Sequence, residues 1–135
     1  MTNVVLPQLA VPADQWGTVE FAVRTSGAVE AREFLNTLDR KVRAKFLALF
    51  GQMAKFGWIA NPSRFSHEAD KIYGFKFNHQ NQLIRFPCFQ IANRWLLTHG
   101  FRKPGAQRGR GSWPKRELEK AKEIMKEHLA REFAN

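Results

Sequence analysis

The chain has 135 residues, of which 44% are hydrophobic, and a formal net charge of +10. This length fits one domain that buries roughly 65–70% of its unfolded surface, and with 12 phenylalanines it excludes a disordered polycation. The single cysteine, Cys88, excludes an internal disulfide and lies in an apolar run typical of a buried thiol. No Cys/His spacing resembles a zinc site, so we expect no metal.

Targeting signals are missing from the chain as given. The N-terminus has no charged segment followed by a continuous apolar one, and no stretch approaches the roughly 18 apolar residues of a membrane span. We therefore expect a cytoplasmic protein without a membrane partner.

The first two elements in chain order are an arm and a strand. Residues 1–17 contain two prolines and little periodicity, which predicts an N-terminal arm followed by a single domain over 18–135. Residues 18–24 alternate Val19, Phe21 and Val23 with polar or small neighbours, which predicts a half-buried strand.

A helical hairpin or a kinked helix comes next. Apolar residues recur at three- and four-residue steps between Phe34 and Met53, which predicts helices over 28–36 and 39–56. Thr37 or Asp39 could cap the second helix, and Gly57 is a suitable end for it.

The second half of the chain predicts strands and a last helix. After a loop over 58–70 come three segments rich in aromatic and branched residues, separated by polar turns: Ile72–Phe77, Leu83–Phe89 and Arg94–Phe101. This spacing predicts an antiparallel meander, with Pro87 at an edge or bulge because proline cannot donate to a ladder. A Gly-rich basic loop follows Lys103, and Pro114 opens a final helix.

The order of these elements, β-α-α-β-β-β-α, predicts an α+β domain with its helices on one side of a small antiparallel sheet.

Charge is distributed unevenly along the chain. The segment from Lys71 to Arg116 contains ten Lys/Arg and no Asp or Glu, whereas the rest holds twelve basic and twelve acidic residues. Uncompensated positive charge favours a polyphosphate partner, here RNA. The alternative is a solvated basic face kept for solubility, although such faces normally mix both signs.

Five residues of this segment are candidates for catalysis. Lys76 and Arg85 fall on adjacent predicted strands, and His99, Arg102 and Lys103 end the third strand. Cleavage within RNA uses the neighbouring 2′-hydroxyl as nucleophile, so the protein must align it, stabilise charge on phosphorus and move protons. Arginine, lysine and histidine can do this without a metal or a cofactor.

The other candidates are RNA contacts, and several of the candidates also have a structural interpretation. The expected RNA contacts are Arg94, Arg108, Arg110, Trp113, Lys115 and Arg116. Arg85 could instead be a structural charge at the sheet edge, His99 a hydrogen-bonded core histidine, and Lys76 a snorkelling side chain. Trp113 could stack on a base or clamp the start of the last helix.

The order and spacing of several motifs resemble the phage-derived branch of the RelE/HigB toxin superfamily. These motifs are AREFLNTLDRKVRAKF, IYGFKF, LIRFPCF, WLLTHGFRKP and PKRELEKAKEIM, and the resemblance covers about Val19 to Met125. It implies a helical pair packed on a small curved antiparallel sheet, and an mRNA endonuclease that acts free or on the ribosome.

The resemblance also implies partners and roles. The partners would be mRNA, the ribosome and a separately encoded antitoxin, commonly a helix-turn-helix protein. Lys76, Arg85 and the pair Arg102/Lys103 would bind the scissile phosphate. Relatives often place a tyrosine near the C-terminal helix, whereas the only tyrosine here is Tyr73. Two other interpretations stay open, namely a non-catalytic RNA- or ribosome-binding module and a phage-encoded interaction protein.

Overall fold

The computed structural model describes residues 6–104 and 113–133. Its elements, in chain order, are β1 (Thr18–Phe21), α1 (Glu30–Thr37), α2 (Arg40–Phe56), β2 (Phe65–Ala69), β3 (Ile72–His79), β4 (Gln82–Ile91), β5 (Arg94–Leu97), β6 (Phe101–Pro104) and α3 (Lys115–Phe133). The α+β class and the two consecutive helices are confirmed. Gly57 ends α2 with a φ of 78°, and its N–H donates to the Met53 carbonyl at 2.7 Å.

The six described strands form one mixed sheet. Its order is β1-β5-β4-β3-β2, and β6 pairs with β4 beyond the end of β5. All pairs are antiparallel except β1 with β5, which run parallel. The expectation of a wholly antiparallel sheet is therefore wrong. A parallel pair needs a long crossover, which here the helices and β2–β4 supply.

β2 lies within residues 58–70, where we expected only a loop. It pairs with β3 from Phe65↔Phe75 to Ala69↔Ile72, with a register shift between His67 and Ala69. Phe65 is the only fully buried residue of this strand, so its sequence lacks the alternating apolar pattern that predicts a strand.

The third predicted strand is split into β5 and β6, and Pro87 lies opposite the break. The Thr98 N–H donates to the Pro87 carbonyl at 2.9 Å. In an antiparallel ladder, the N–H and C=O of one residue point to the same neighbour. Because proline has no N–H, it cannot return a bond to the chain at Thr98–Gly100, and the ladder is interrupted there.

Helices cover both faces of the sheet, which corrects the expectation that they lie on one side. α1 and α2 pack on the face that carries Phe75, Phe86 and Trp95, called here the α2 face. α3 packs on the opposite face, the α3 face, over apolar residues that include Phe89 and Leu96. The central strand β4 is buried on both sides over residues 84–89, so one helical layer could not cover it.

Candidate functional site

A row of three side chains crosses the α3 face beside the part that α3 covers. Lys76 of β3 is in register with Arg85 of β4, and Arg85 is in register with Phe101 of β6. Because residues alternate between faces, these three point away from the α2 face, toward which Phe75 and Phe86 point. Lys76 and Arg85, predicted on adjacent strands, are thus direct cross-strand neighbours.

Arg85 is the most unusual residue of this row. It is only 9% exposed. Its Nη1 donates to the Ile84 carbonyl at 3.0 Å and makes long 3.4 Å contacts with the Phe77 carbonyl and Asn78 Oδ1. The buried Nε has no hydrogen-bond partner in residues 6–104 and 113–133, and no carboxylate of these residues lies within 4.0 Å of the guanidinium. Burial lowers the pKa of this arginine.

A carboxylate that we did not predict belongs to the same surface. Ser66 is in register with Gly74 on the α3 face, and its hydroxyl donates to Glu68, two residues along β2. Burial raises the pKa of Glu68, against the opposing effects of the Ser66 hydrogen bond and the charges of Lys76 and Arg85. Burial likewise lowers the pKa of Lys76, while Glu68 opposes that shift.

Glu68 lies three residues before the acid-free segment begins. The count of charged residues in that segment therefore did not mark it as a candidate. The spacing Ser-x-Glu, which puts a hydroxyl and a carboxylate on one side of a strand, was the available signal.

Trp113 and Gly74 close one side of the row. A Cβ on Gly74 would lie 1.9 Å from Cη2 of Trp113, so the indole rests directly on the glycine backbone. Trp113 also packs edge-on against Phe101, with the ring centroids 5.3 Å apart. The indole is buried and forms a wall of the site at the start of α3, as the clamp interpretation expects.

The predicted pair Arg102/Lys103 is divided between the two faces. Lys103 is in register with Leu83 and joins Arg85 on the α3 face, one row farther along the sheet. Arg102 is in register with Ile84, and its guanidinium lies 5.2 Å from the centre of the Phe34 ring, on the α2 face. Successive residues of a strand point to opposite faces, so this division follows from the period of β6. We define the candidate site as Glu68, Lys76, Arg85 and Lys103.

His99 lies in the break between β5 and β6 and is 1% exposed. Both ring nitrogens have partners, with Nδ1 3.1 Å from Thr98 Oγ1 and Nε2 3.0 Å from Glu117 Oε1. Burial lowers the pKa of His99, opposed by the hydrogen bond with Glu117. The ring ties the sheet to α3, and its catalytic role stays a prediction.

The expected RNA contacts are dispersed. Arg94 is held between Glu20 and Glu132 at the far end of the sheet, with its Nε 2.9 Å from a Glu20 oxygen. Lys115 and Arg116 are exposed in the first turn of α3, 3.9 Å from Glu119 and 3.7 Å from Glu117 respectively. Arg108 and Arg110 lie outside the described residues. The RNA-binding roles of these residues stay predictions.

Two negative findings concern only the described part of the chain. It contains no group of three or more His, Cys, Asp or Glu that could hold a metal ion. It also contains no helix long and apolar enough to cross a membrane. Cys88 is fully buried, and burial raises the pKa of its thiol well above the usual value.

Comparison with models of known protein families gives a match. The model of a family described as phage-derived protein Gp49-like (DUF891) matches residues 33–126, which is more than half of the chain. The matched region runs from α1 into α3 and contains all of the candidate site. No curated protein matches the sequence.

Proposed function

Because the chain belongs to the Gp49-like family of phage-derived proteins, a RelE/HigB-like toxin family, we propose that it is an endoribonuclease toxin of a type II toxin–antitoxin pair. Its substrate is mRNA, engaged on the ribosome, and its cognate antitoxin is a separate protein of the helix-turn-helix type.

The observation that carries this proposal is the environment of Arg85. Arg85 is a buried guanidinium with an unpartnered Nε and no carboxylate within 4.0 Å in the described residues, so the more distant charge of Glu68 compensates it only in part. The desolvation of such an unpaired ion costs roughly several kcal/mol of folding free energy. An anion bound at the site would offset this cost. A phosphodiester suits the arginine fork, and Lys76 beside it and Lys103 one row away add positive charge.

The mechanism follows from the chemistry of the candidate site. The 2′-oxygen attacks phosphorus and the bond to the 5′-oxygen breaks, which leaves a 2′,3′-cyclic phosphate and a 5′-hydroxyl. Glu68 takes the proton of the 2′-hydroxyl, because its raised pKa makes it a better base than an ordinary carboxylate. Lys76, whose pKa is lowered, gives a proton to the leaving oxygen. Arg85 stabilises the charge that develops on the phosphoryl oxygens.

The test is expression of the protein in growing cells, with primer-extension mapping of cellular mRNA. Wild type should arrest growth and produce defined cleavage ends, and Arg85→Met should abolish both. The matched control is Arg131→Met, which removes an exposed arginine from the last turn of α3 and should behave as wild type. Equal arrest by the Arg85 variant, or no cleavage of free or ribosome-engaged mRNA by wild type, would refute the proposal.

A non-catalytic RNA-binding role on the same face is the second candidate. The placement of His99 favours it, because a buried ring with both nitrogens bonded is poorly placed to transfer a proton to a substrate. Purified wild type that binds RNA at the candidate site without cleaving it would support this role over catalysis.

A further inference from the structure

A second acid-free segment of the chain runs through α2 and the loop that follows it. From Arg40 to His67 the chain contains six Lys/Arg and no Asp or Glu. The positive charge of the protein therefore extends well beyond the segment that begins at Lys71. Two of the six, Lys55 and Arg64, lie in the last turn of α2 and in the loop before β2, where their charge favours an anionic occupant.

A cavity of about 340 Å³ lies between the last turns of α2 and the loop that leads to β2. Phe56 and Trp58, which line it, are 64% and 52% exposed. Large aromatic rings exposed together in the lining of one cavity are typical of binding sites. The cavity shares no residue with the candidate site.

Trp58 is held rigidly despite its exposure. Its ring packs edge-on against Phe65 and Tyr73, with centroid distances of 5.2 and 5.9 Å, and lies 6.3 Å from the ring of Trp95. A fixed ring with a free surface loses little conformational entropy when another flat ring stacks on it.

Polar groups around the cavity are available to a ligand. Asn61 accepts the Ser63 N–H through Oδ1 at 2.9 Å, and its Nδ2 has no hydrogen-bond partner within the described ranges. The side chain of Gln52, also in the lining, has none there either. Arg64 completes the rim, with its guanidinium 4.3 Å from the centre of the Phe77 ring.

We propose that this cavity binds a base of single-stranded RNA, with the base stacked on Trp58 and its edge read by Gln52 and Asn61. Aromatic stacking combined with amide contacts to base edges is how proteins hold unpaired nucleotides. Arg64 and Lys55, which lies 5.3 Å from the Phe56 ring, supply charge for the neighbouring phosphate.

The inference rests on the proposed action on RNA, because the cavity adjoins the candidate site through the backbone. The Lys76 N–H donates to the Arg64 carbonyl at 2.8 Å, so the two sites meet at the same edge of the sheet. Trp58 packs on Phe65 and Tyr73 of the α2 face, whereas the candidate site lies on the α3 face. The outer edge of β2 pairs with no other strand in the described residues. One RNA strand can therefore pass around this edge and occupy both sites.

The experiment measures binding of a 2′-O-methyl RNA octamer, which lacks the nucleophile and is not cleaved, to the full chain. Trp58→Ala should weaken binding roughly 5- to 150-fold, the range expected for loss of one stacked base. Trp58→Tyr should retain most of the affinity. The control Phe133→Ala, which removes another exposed ring (57%) at the end of α3, should leave binding unchanged. A thermal melt confirms that each variant is folded.

A second variant guards against unfolding of Trp58→Ala. Gln52→Glu changes an exposed side chain and adds a carboxylate to the cavity, so it should weaken RNA binding. The control Asn36→Asp adds a carboxylate at an exposed position of α1 and should leave RNA binding unchanged. Photo-cross-linking with a 4-thiouridine octamer should label the tryptic peptide 56–64. The inference is overturned if both cavity variants bind the RNA octamer with wild-type affinity. It is also overturned if the two variants lose binding of an acidic peptide, measured as a second ligand, but keep binding of RNA. Cleavage that still depends on Arg85 would then leave the proposed function standing.

Discussion

Arg85→Met replaces a buried guanidinium by an apolar side chain of similar length at the centre of the candidate site. Arg85 is 9% exposed, and its Nε has no partner in the described residues. The variant keeps the packing of the aliphatic stem and removes the charge. We expect it to lose RNA cleavage while the folded protein becomes more stable.

The magnitude follows from the contacts of Arg85. The substitution gives up one good hydrogen bond, from Nη1 to the Ile84 carbonyl at 3.0 Å, worth about 1.5–3 kcal/mol for a charged donor. It also removes the desolvation cost of an unpaired buried ion. That cost is roughly several kcal/mol once the surrounding protein has relaxed. The net effect is a stabilisation of about 1–2 kcal/mol, which raises Tm by roughly 3–10 °C for a domain of this size.

The assay is thermal unfolding followed by circular dichroism, with Arg24→Met as the opposing control. Arg24 is also largely buried, but it is paired, with Glu30 at 2.6 Å and with Glu127 at 2.8 Å. The same substitution there removes the guanidinium from both carboxylates, which keep Lys120 near Glu30 and the Thr25 N–H on Glu127, so it should lower the free energy of unfolding by about 1–3 kcal/mol. Opposite signs at the two arginines isolate the effect of pairing.

A fall in Tm for Arg85→Met as large as that for Arg24→Met would refute this reasoning, because it would mean that the Arg85 guanidinium is satisfied in the free protein. Retained cleavage in the folded variant would refute the assigned role of the charge.

Three further outcomes are expected. Cleavage should need Glu68 deprotonated, so its rate should fall as pH decreases through the raised pKa of this residue, and Glu68→Gln should remove that acid limb from a pH–rate profile. The alkaline limb should lie below the range of an ordinary lysine, because burial lowers the pKa of Lys76, and Lys76→Arg should shift the limb upward. Gly74→Ala should destabilise the fold by about 1–3 kcal/mol, because the added Cβ would lie 1.9 Å from Trp113 and displace the indole. Urea titration measures this loss, and an unchanged unfolding midpoint would contradict the packing of Trp113 on Gly74.

Local patterns predicted much of the secondary structure, since it depends on neighbours in sequence. The three- and four-residue spacing of apolar residues predicted α1 and α2 to within two residues, and Gly57 predicted where α2 ends. β2 was missed, because an edge strand with one buried residue carries almost no alternation. The position of α3 on the opposite face was also missed, because apolar periodicity shows which side of a helix is buried but not against what.

The sequence by itself determined that Lys71–Arg116 is positive and free of acids, since that is a property of a linear stretch. Only the tertiary structure decided which of those charges are neutralised. Folding brings Glu20 and Glu132 onto Arg94, and it places Glu68 on the same face as Lys76 and Arg85. Electrostatic interactions depend on distance in space and on burial, and neither is encoded in sequence separation. The same charge count therefore contains a structural ion pair at one end of the sheet and, in the candidate site, a buried arginine that no carboxylate of the described residues approaches within 4.0 Å.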